Sequence, residues 1–117
     1  MTRTKNTSAS NKKKKKTLKN AKGYKWGRKN KYKLAKDALR HAWTHAFQDR
    51  RKKKRKFRKA WQVQINAASR KHGVPYSKFI YGLKENNIEL NRKVLAELAI
   101  NHENIFEKIV EKAKTKI

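Results

Sequence analysis

A chain of 117 residues with 35 Lys and Arg against 8 Asp and Glu, a formal net charge of +27, has room for about one small domain and repels itself when compact. The absence of cysteine excludes disulfides and thiolate metal sites. No stretch approaches the roughly 18 apolar residues of a membrane span, and no apolar run follows the first charges, so neither a transmembrane helix nor a secretory signal is expected.

The charge is unevenly placed. Residues 1–60 hold 25 basic and 2 acidic side chains, a formal +23, whereas residues 61–117 hold 10 and 6, a formal +4. That is a basic arm joined to a nearly ordinary domain, and the partner such an arm fits is a dense polyanion. Residues 1–20 contain Ser, Thr, Asn and a five-lysine block at 12–16, with Leu18 the one large apolar side chain after Met1. So little apolar surface cannot bury a core, and the segment is expected to be disordered without a partner.

Residues 21–33, AKGYKWGRKNKYK, interleave Tyr24, Trp26 and Tyr32 with Lys22, Lys25, Arg28, Lys29, Lys31 and Lys33. Gly23 and Gly27 allow tight turns. Rings among cations suit RNA, where bases stack on aromatics and phosphates meet the charges. The competing reading is that these rings pack on the helix that follows. Residues 31–70 contain neither Gly nor Pro inside a helical pattern, and one long helix of about 40 residues, roughly 60 Å, is predicted. Its first half carries Leu34, Ala38, Leu39, Ala42, Trp43, Ala46 and Phe47, with no evident partner helix in the N-terminal half.

The run at 50–56 is seven consecutive basic residues, with no acid within it, followed by Phe57, Arg58, Lys59 and Trp61. Like charges three and four apart repel on a helix. Seven adjacent positions also cover every face, so the run makes sense inside a helix only if a polyanion neutralises it. Its KKKRK could instead be a nuclear localisation signal, a motif of low specificity that usually lies in flexible chain. Phe57, Trp61 and Ile65 step by four and are expected to tie this helix to the core. Gly73 and Pro75 read as its stop. Ser77, Asn91 and Asn101 are candidate caps for three further helices. The inward residues of these are Phe79, Ile80 and Leu83, then Val94, Leu95, Leu98 and Ala99, then Ile105, Phe106, Ile109, Val110 and Ala113.

Nothing here resembles a catalytic site. His41 and His45 have zinc-ligand spacing, but no Glu follows the first and nothing nearby completes a ligand set. Glu103, Glu107 and Glu111 line one helix face and read as solvated. No cofactor, metal or small-molecule substrate is expected.

The stretch from Asp49 to Ala68 carries a specific signature: Asp49-Arg50, Lys54-Arg55-Lys56, Phe57-Arg58, Trp61 and Ile65-Asn66-Ala67-Ala68. It resembles the D-R-x-x-R-K-R-x-F-R-x-x-W block and I-N-A-A core of the bacterial large-subunit ribosomal protein L-twenty family. Gly73, Tyr76-Ser77-Lys78-Phe79-Ile80, Gly82-Leu83-Lys84 and Arg92-Lys93-x-Leu95-Ala96-x-Leu98-Ala99 resemble its following blocks, and Ala21-Lys22-Gly23-Tyr24 its arm motif. The similarity runs over about residues 19–114. Ala60 and Gln64 depart from it, standing where the family usually has Leu and Arg. The resemblance implies an all-α protein with a long basic N-terminal helical extension, residues 1–58, and a small C-terminal helical domain, residues 59–117. It implies no catalytic role, direct binding to large-subunit ribosomal RNA, a part in early subunit assembly, neighbouring ribosomal proteins as partners and a place in the ribosome of a bacterium or organelle. In some bacteria the family also represses its own messenger RNA, which makes that transcript a candidate partner.

The RNA-binding candidates in the arm are Arg3, Lys5, Lys12, Lys13, Lys14, Lys15, Lys16, Lys19, Lys22, Tyr24, Lys25, Trp26, Arg28, Lys29 and Lys31. On the long helix they are Tyr32, Lys33, Arg40, Arg50, Arg51, Lys52, Lys53, Lys54, Arg55, Arg58, Lys59 and Arg70, and beyond it Lys78, Lys84 and Arg92. Tyr24, Trp26 and Tyr32 are the stacking candidates. The rival from another class is a histone-like or transcriptional DNA-binding protein. Against it stand the arm's length, the aromatic–basic interleaving and the lack of a base-reading set on a final helix. A cationic membrane-active peptide is disfavoured because the basic segments lack a broad apolar face.

Overall fold

The computed structural model describes residues 7–117, and the described residues form helices and turns with no strand. Helix α1 covers Thr7–Asn20, α2 Tyr32–Lys71, α3 Tyr76–Glu85, α4 Arg92–Asn101 and α5 Glu103–Lys114, with a short 3-10 turn over Trp26–Arg28. The protein is all-α, with one 40-residue helix ahead of three short ones. It divides into two compact units, the first ending at Arg51 and the second Lys52–Ile117. The division falls within α2, inside the basic run.

In the first unit α1 is helical over Thr7–Asn20, where the sequence reading expects residues 1–20 to be disordered without a partner; residues 1–6 lie outside the described residues. Lysine is a good helix former, and each like-charge pair costs only about 0.2–0.5 kcal/mol. Leu18 also has a place to go. It and Tyr24 pack against buried Ala21, Ala35 and Leu39, so the first half of α2 does have a helical neighbour. Ala35, absent from the predicted apolar face, is fully buried, while Leu34, Trp43 and Phe47 stay exposed. The turn after α1 uses Gly23 at φ 89°, in the left-handed region that favours glycine.

The second unit has the apolar core. Ile65 from α2, Val74 from the connection, Phe79 and Leu83 from α3, Leu95 and Ala96 from α4, and Phe106, Val110 and Ala113 from α5 are buried together. Phe79 and Phe106 meet with centroids 5.4 Å apart and ring planes tilted by 49°. Trp61 packs on this core, but Phe57 does not join it: its ring is half exposed and touches Trp61 at 6.1 Å between centroids. Val94 and Ile105, both expected inward, are exposed. Each sits one residue, about 100° of helix, from the buried stripe begun by Leu95 or Phe106, and these short helices bury only a narrow stripe.

Two helix ends share one geometry. After α2, Gly73 adopts φ 79°, its N–H donates to the Arg70 carbonyl at 3.0 Å, and the Val74 N–H donates to the Ser69 carbonyl at 3.1 Å. After α3, Asn87 adopts φ 56°, its N–H donates to Lys84, and the Ile88 N–H donates to Leu83. Both are the paired bonds that satisfy the last carbonyls of a helix, with Asn replacing Gly as the left-handed residue in the second. Asn91 caps α4 as expected, its Oδ1 accepting from the Val94 N–H at 2.9 Å. Ser77 and Asn101 do not cap: α3 starts from Pro75, and α4 runs through Asn101 to His102. In place of Ser77, Asn66 of α2 serves the start of α3, its Oδ1 accepting from the Tyr76 N–H at 3.3 Å.

Candidate nucleic-acid interface

A helix that contains residues 50–56 presents cations around its whole circumference, because each residue advances about 100°. All residues from 50 to 60 are exposed. α2 persists through the run because both ends are anchored in packed clusters, by Ala35 and Leu39 before it and Ile65 after it. Arg51 is held in place: its guanidinium lies 3.8 Å from the Phe47 ring centroid, and Nη1 donates to the Phe47 carbonyl at 3.3 Å. Lys53 stands 5.9 Å from the Phe57 ring. Such stacking orients a cation without neutralising it.

The other candidates fall on every helix. Lys12, Lys13, Lys14, Lys15, Lys16 and Lys19 line α1; Lys22, Tyr24, Lys25, Trp26, Arg28, Lys29 and Lys31 occupy the turn region. Tyr32, Lys33, Arg40, Arg58, Lys59 and Arg70 lie on α2, Lys78 and Lys84 on α3, and Arg92 begins α4. Every Lys and Arg among them is exposed. Arg3 and Lys5 lie outside the described residues. Arg70 Nε donates to Asn66 Oδ1 at 3.1 Å and Arg92 Nε to the Tyr76 hydroxyl at 2.9 Å, so both are aimed by neighbours. Lys84 and Arg92 line one cleft of about 350 Å³ beside Ile80, Ile88 and Leu90.

The three stacking candidates differ in placement. Trp26 is 76% exposed and holds φ 54°, a conformation costly for a bulky side chain. Tyr24 and Tyr32 are partly buried, Tyr24 against the Ala21, Ala35 and Leu39 cluster and Tyr32 with Lys36 Nζ 5.9 Å from its ring. Side chains of the same chemistry beside the predicted ones are Lys36, Trp43, Phe47 and Lys56. Trp43 and Phe47, four residues apart on α2, are 57% and 52% exposed, and the signal the sequence carried for them is the helical spacing of two rings within its basic half.

Some carboxylates have basic partners. Glu103 accepts from Lys71 Nζ at 3.2 Å and Glu107 lies 4.0 Å from His72 Nδ1, so two of the three acids read as a solvated face meet the end of α2. His41 stands 3.7 Å from Asp37. Among the described residues no three His, Cys, Asp or Glu are grouped to hold a metal, and no helix is long and apolar enough to cross a membrane. The positions that depart from the resembled pattern, Ala60 and Gln64, are both on exposed surface of α2.

The family model for Ribosomal protein L20 matches residues 3–109. The large ribosomal subunit protein bL20 of Metamycoplasma arthritidis is 55% identical over 103 residues, 87% of this chain and 86% of its own length. Its counterpart in Opitutus terrae is 51% identical over 115 residues, 97% of this chain and 90% of its own. That of Mesomycoplasma hyopneumoniae strain 7448 is 48% identical over 115 residues, 97% of each chain. With an uninterrupted basic helix leading into a small helical core, and similarity of this depth over nearly the whole sequence, the chain belongs to the ribosomal protein L20 family and is not an enzyme.

Proposed function

We propose that this protein is a structural constituent of the large ribosomal subunit that binds large-subunit ribosomal RNA directly and promotes early subunit assembly. The observation that carries this is the exposure of every cation from residue 50 to 59 on one continuous helix. A solvated protein gains nothing from that arrangement, whereas RNA helices crowding around it lose mutual repulsion. Each phosphate neutralised releases condensed counterions, and that release offsets the ordering of a long arm. The basic extension, residues 1–58, acts as the charge carrier threaded through RNA. The helical domain, residues 59–117, fixes where the protein lands, by shape more than by base sequence. Lys78, Lys84, Arg70 and Arg92 are its contacts with phosphate. Neighbouring ribosomal proteins complete its surroundings, and its own messenger RNA competes for the same domain.

The test is sedimentation of cell extracts. Cofractionation with large subunits, surviving a high-salt wash, is the expected result. Recovery with the chromosome would replace it with the DNA-compacting alternative. Depletion should leave incomplete large-subunit particles that lack late-joining proteins, and normal particle profiles under depletion would remove the assembly role.

A further inference from the structure

A groove of about 200 Å³ opens between α1 and the first half of α2. Lys13 and Arg40 stand at it, both exposed, with partly buried Lys36 and Tyr32 and the half-exposed ring of Trp43. Lys36 Nζ lies 5.9 Å from the Tyr32 ring centroid, so a cation and an aromatic already share one wall. We propose that this groove is a binding site for a single unpaired RNA nucleotide, its base stacked on Trp43 and its phosphates met by Lys13, Lys36 and Arg40. The site presupposes the RNA-binding function proposed above and adds two residues to it, Lys36 and Trp43.

Three features select this occupant. The volume falls below the roughly 300–1,000 Å³ of clefts that bury drug-sized molecules, and suits one planar ring system with its sugar and phosphate outside. The lining has cations and aromatics and no carboxylate, which favours a polyanion over an acceptor of basic peptide. A base face is sequence-tolerant toward an aromatic, so the site takes an extruded or looped-out nucleotide and does not read its identity. A duplex offers no free base face, and the site therefore distinguishes irregular RNA from regular helix.

The experiment uses the full chain and two fluorescent ten-nucleotide probes, oligouridylate and an abasic ribose-phosphate oligomer of equal charge. Binding is followed by anisotropy of the probe and, separately, by tryptophan emission. Subtracting the emission of Trp43→Phe from that of the parent isolates Trp43 from Trp26 and Trp61. The expected result is loss of at least half of the Trp43 emission on saturation with oligouridylate and none with the abasic oligomer. Lys36→Ala combined with Arg40→Ala should weaken the concentration dependence of that quenching about tenfold. Saturable, salt-sensitive anisotropy with unquenched Trp43 would overturn the site while leaving RNA binding intact, and would leave the groove to a protein segment. Equal quenching by both oligomers would overturn base stacking. Binding of neither probe would also overturn the site, whereas loss of binding to large-subunit ribosomal RNA in the same anisotropy assay would remove the RNA-binding function itself.

Discussion

Replacing Gly82 by Ala separates two opposed effects. Gly82 is a buried residue in the middle of α3, where helix propensity alone favours Ala by about 0.8–1.0 kcal/mol. Its α-carbon, however, faces the backbone of α5. A Cβ there would overlap the Ala113 carbonyl oxygen and lie 3.0 Å from both the Ala113 carbonyl carbon and Ile117 Cγ1. Backbone cannot rotate aside as a side-chain tip can. The two helices must therefore separate by about 0.5–1 Å, a gap that forfeits a quarter to a half of each dispersion contact it opens. Buried Phe79 and Leu83 on α3 face Phe106 and Val110 on α5, and the Asn86 side chain, donating to the Gly82 and Lys112 carbonyls at 2.7 and 3.0 Å, spans the same seam. Overpacking of this kind costs about 1–3 kcal/mol, toward the upper end when backbone is struck. After the propensity gain, a net loss of about 1–2 kcal/mol remains, which lowers the melting temperature of a unit this size by about 5–15 °C. Thermal unfolding by far-ultraviolet circular dichroism measures it, with Lys84→Ala, exposed on the same helix, as a control expected to change little. A Gly82→Ala protein as stable as the parent, or more stable, would refute the close-approach argument and leave propensity in charge.

Neutralising Arg50, Arg51 and Lys54 together should reduce the slope of log affinity against log salt by about 2–3, from roughly 0.7–0.9 per lost phosphate contact, in titrations with large-subunit RNA; an unchanged slope would take these side chains off the phosphates. Asn91→Ala removes the acceptor of the Val94 N–H and should cost about 1 kcal/mol in denaturant unfolding of the second unit. Leu18→Ala should weaken the packing of α1 on α2 by about 1–2 kcal/mol, less than for a fully buried leucine. Hydrogen exchange would register this as faster exchange over residues 7–20 with protection of α3 to α5 unchanged, and slowed or unaltered exchange in α1 would argue against Leu18 as its anchor.

Several features were legible in residue order because local physics fixes them. A stretch from 32 to 71 free of Gly and Pro, a glycine and proline just beyond, and apolar spacing of three and four afterward determine the long helix, its stop and the three short ones. Charge distribution pointed to the class of partner, and the Asp49 to Ala68 signature to the family. What depended on the third dimension was which members of an apolar set are inward. Ala35 is buried where larger Leu34 is not, and Ala96 where Val94 is not, because the approach of a neighbouring helix decides which few degrees of a helix face lose water. Sequence also missed α1, since the small cluster that receives Leu18 is assembled from residues up to 21 positions away. Asn66 acting at the start of α3 is of the same kind, a cap supplied from ten residues earlier in place of the adjacent Ser77. The groove with Trp43 on its wall likewise exists only once α1 lies beside α2. Composition alone pointed to a polyanion as the partner; packing between helices decided where rings and cations stand together.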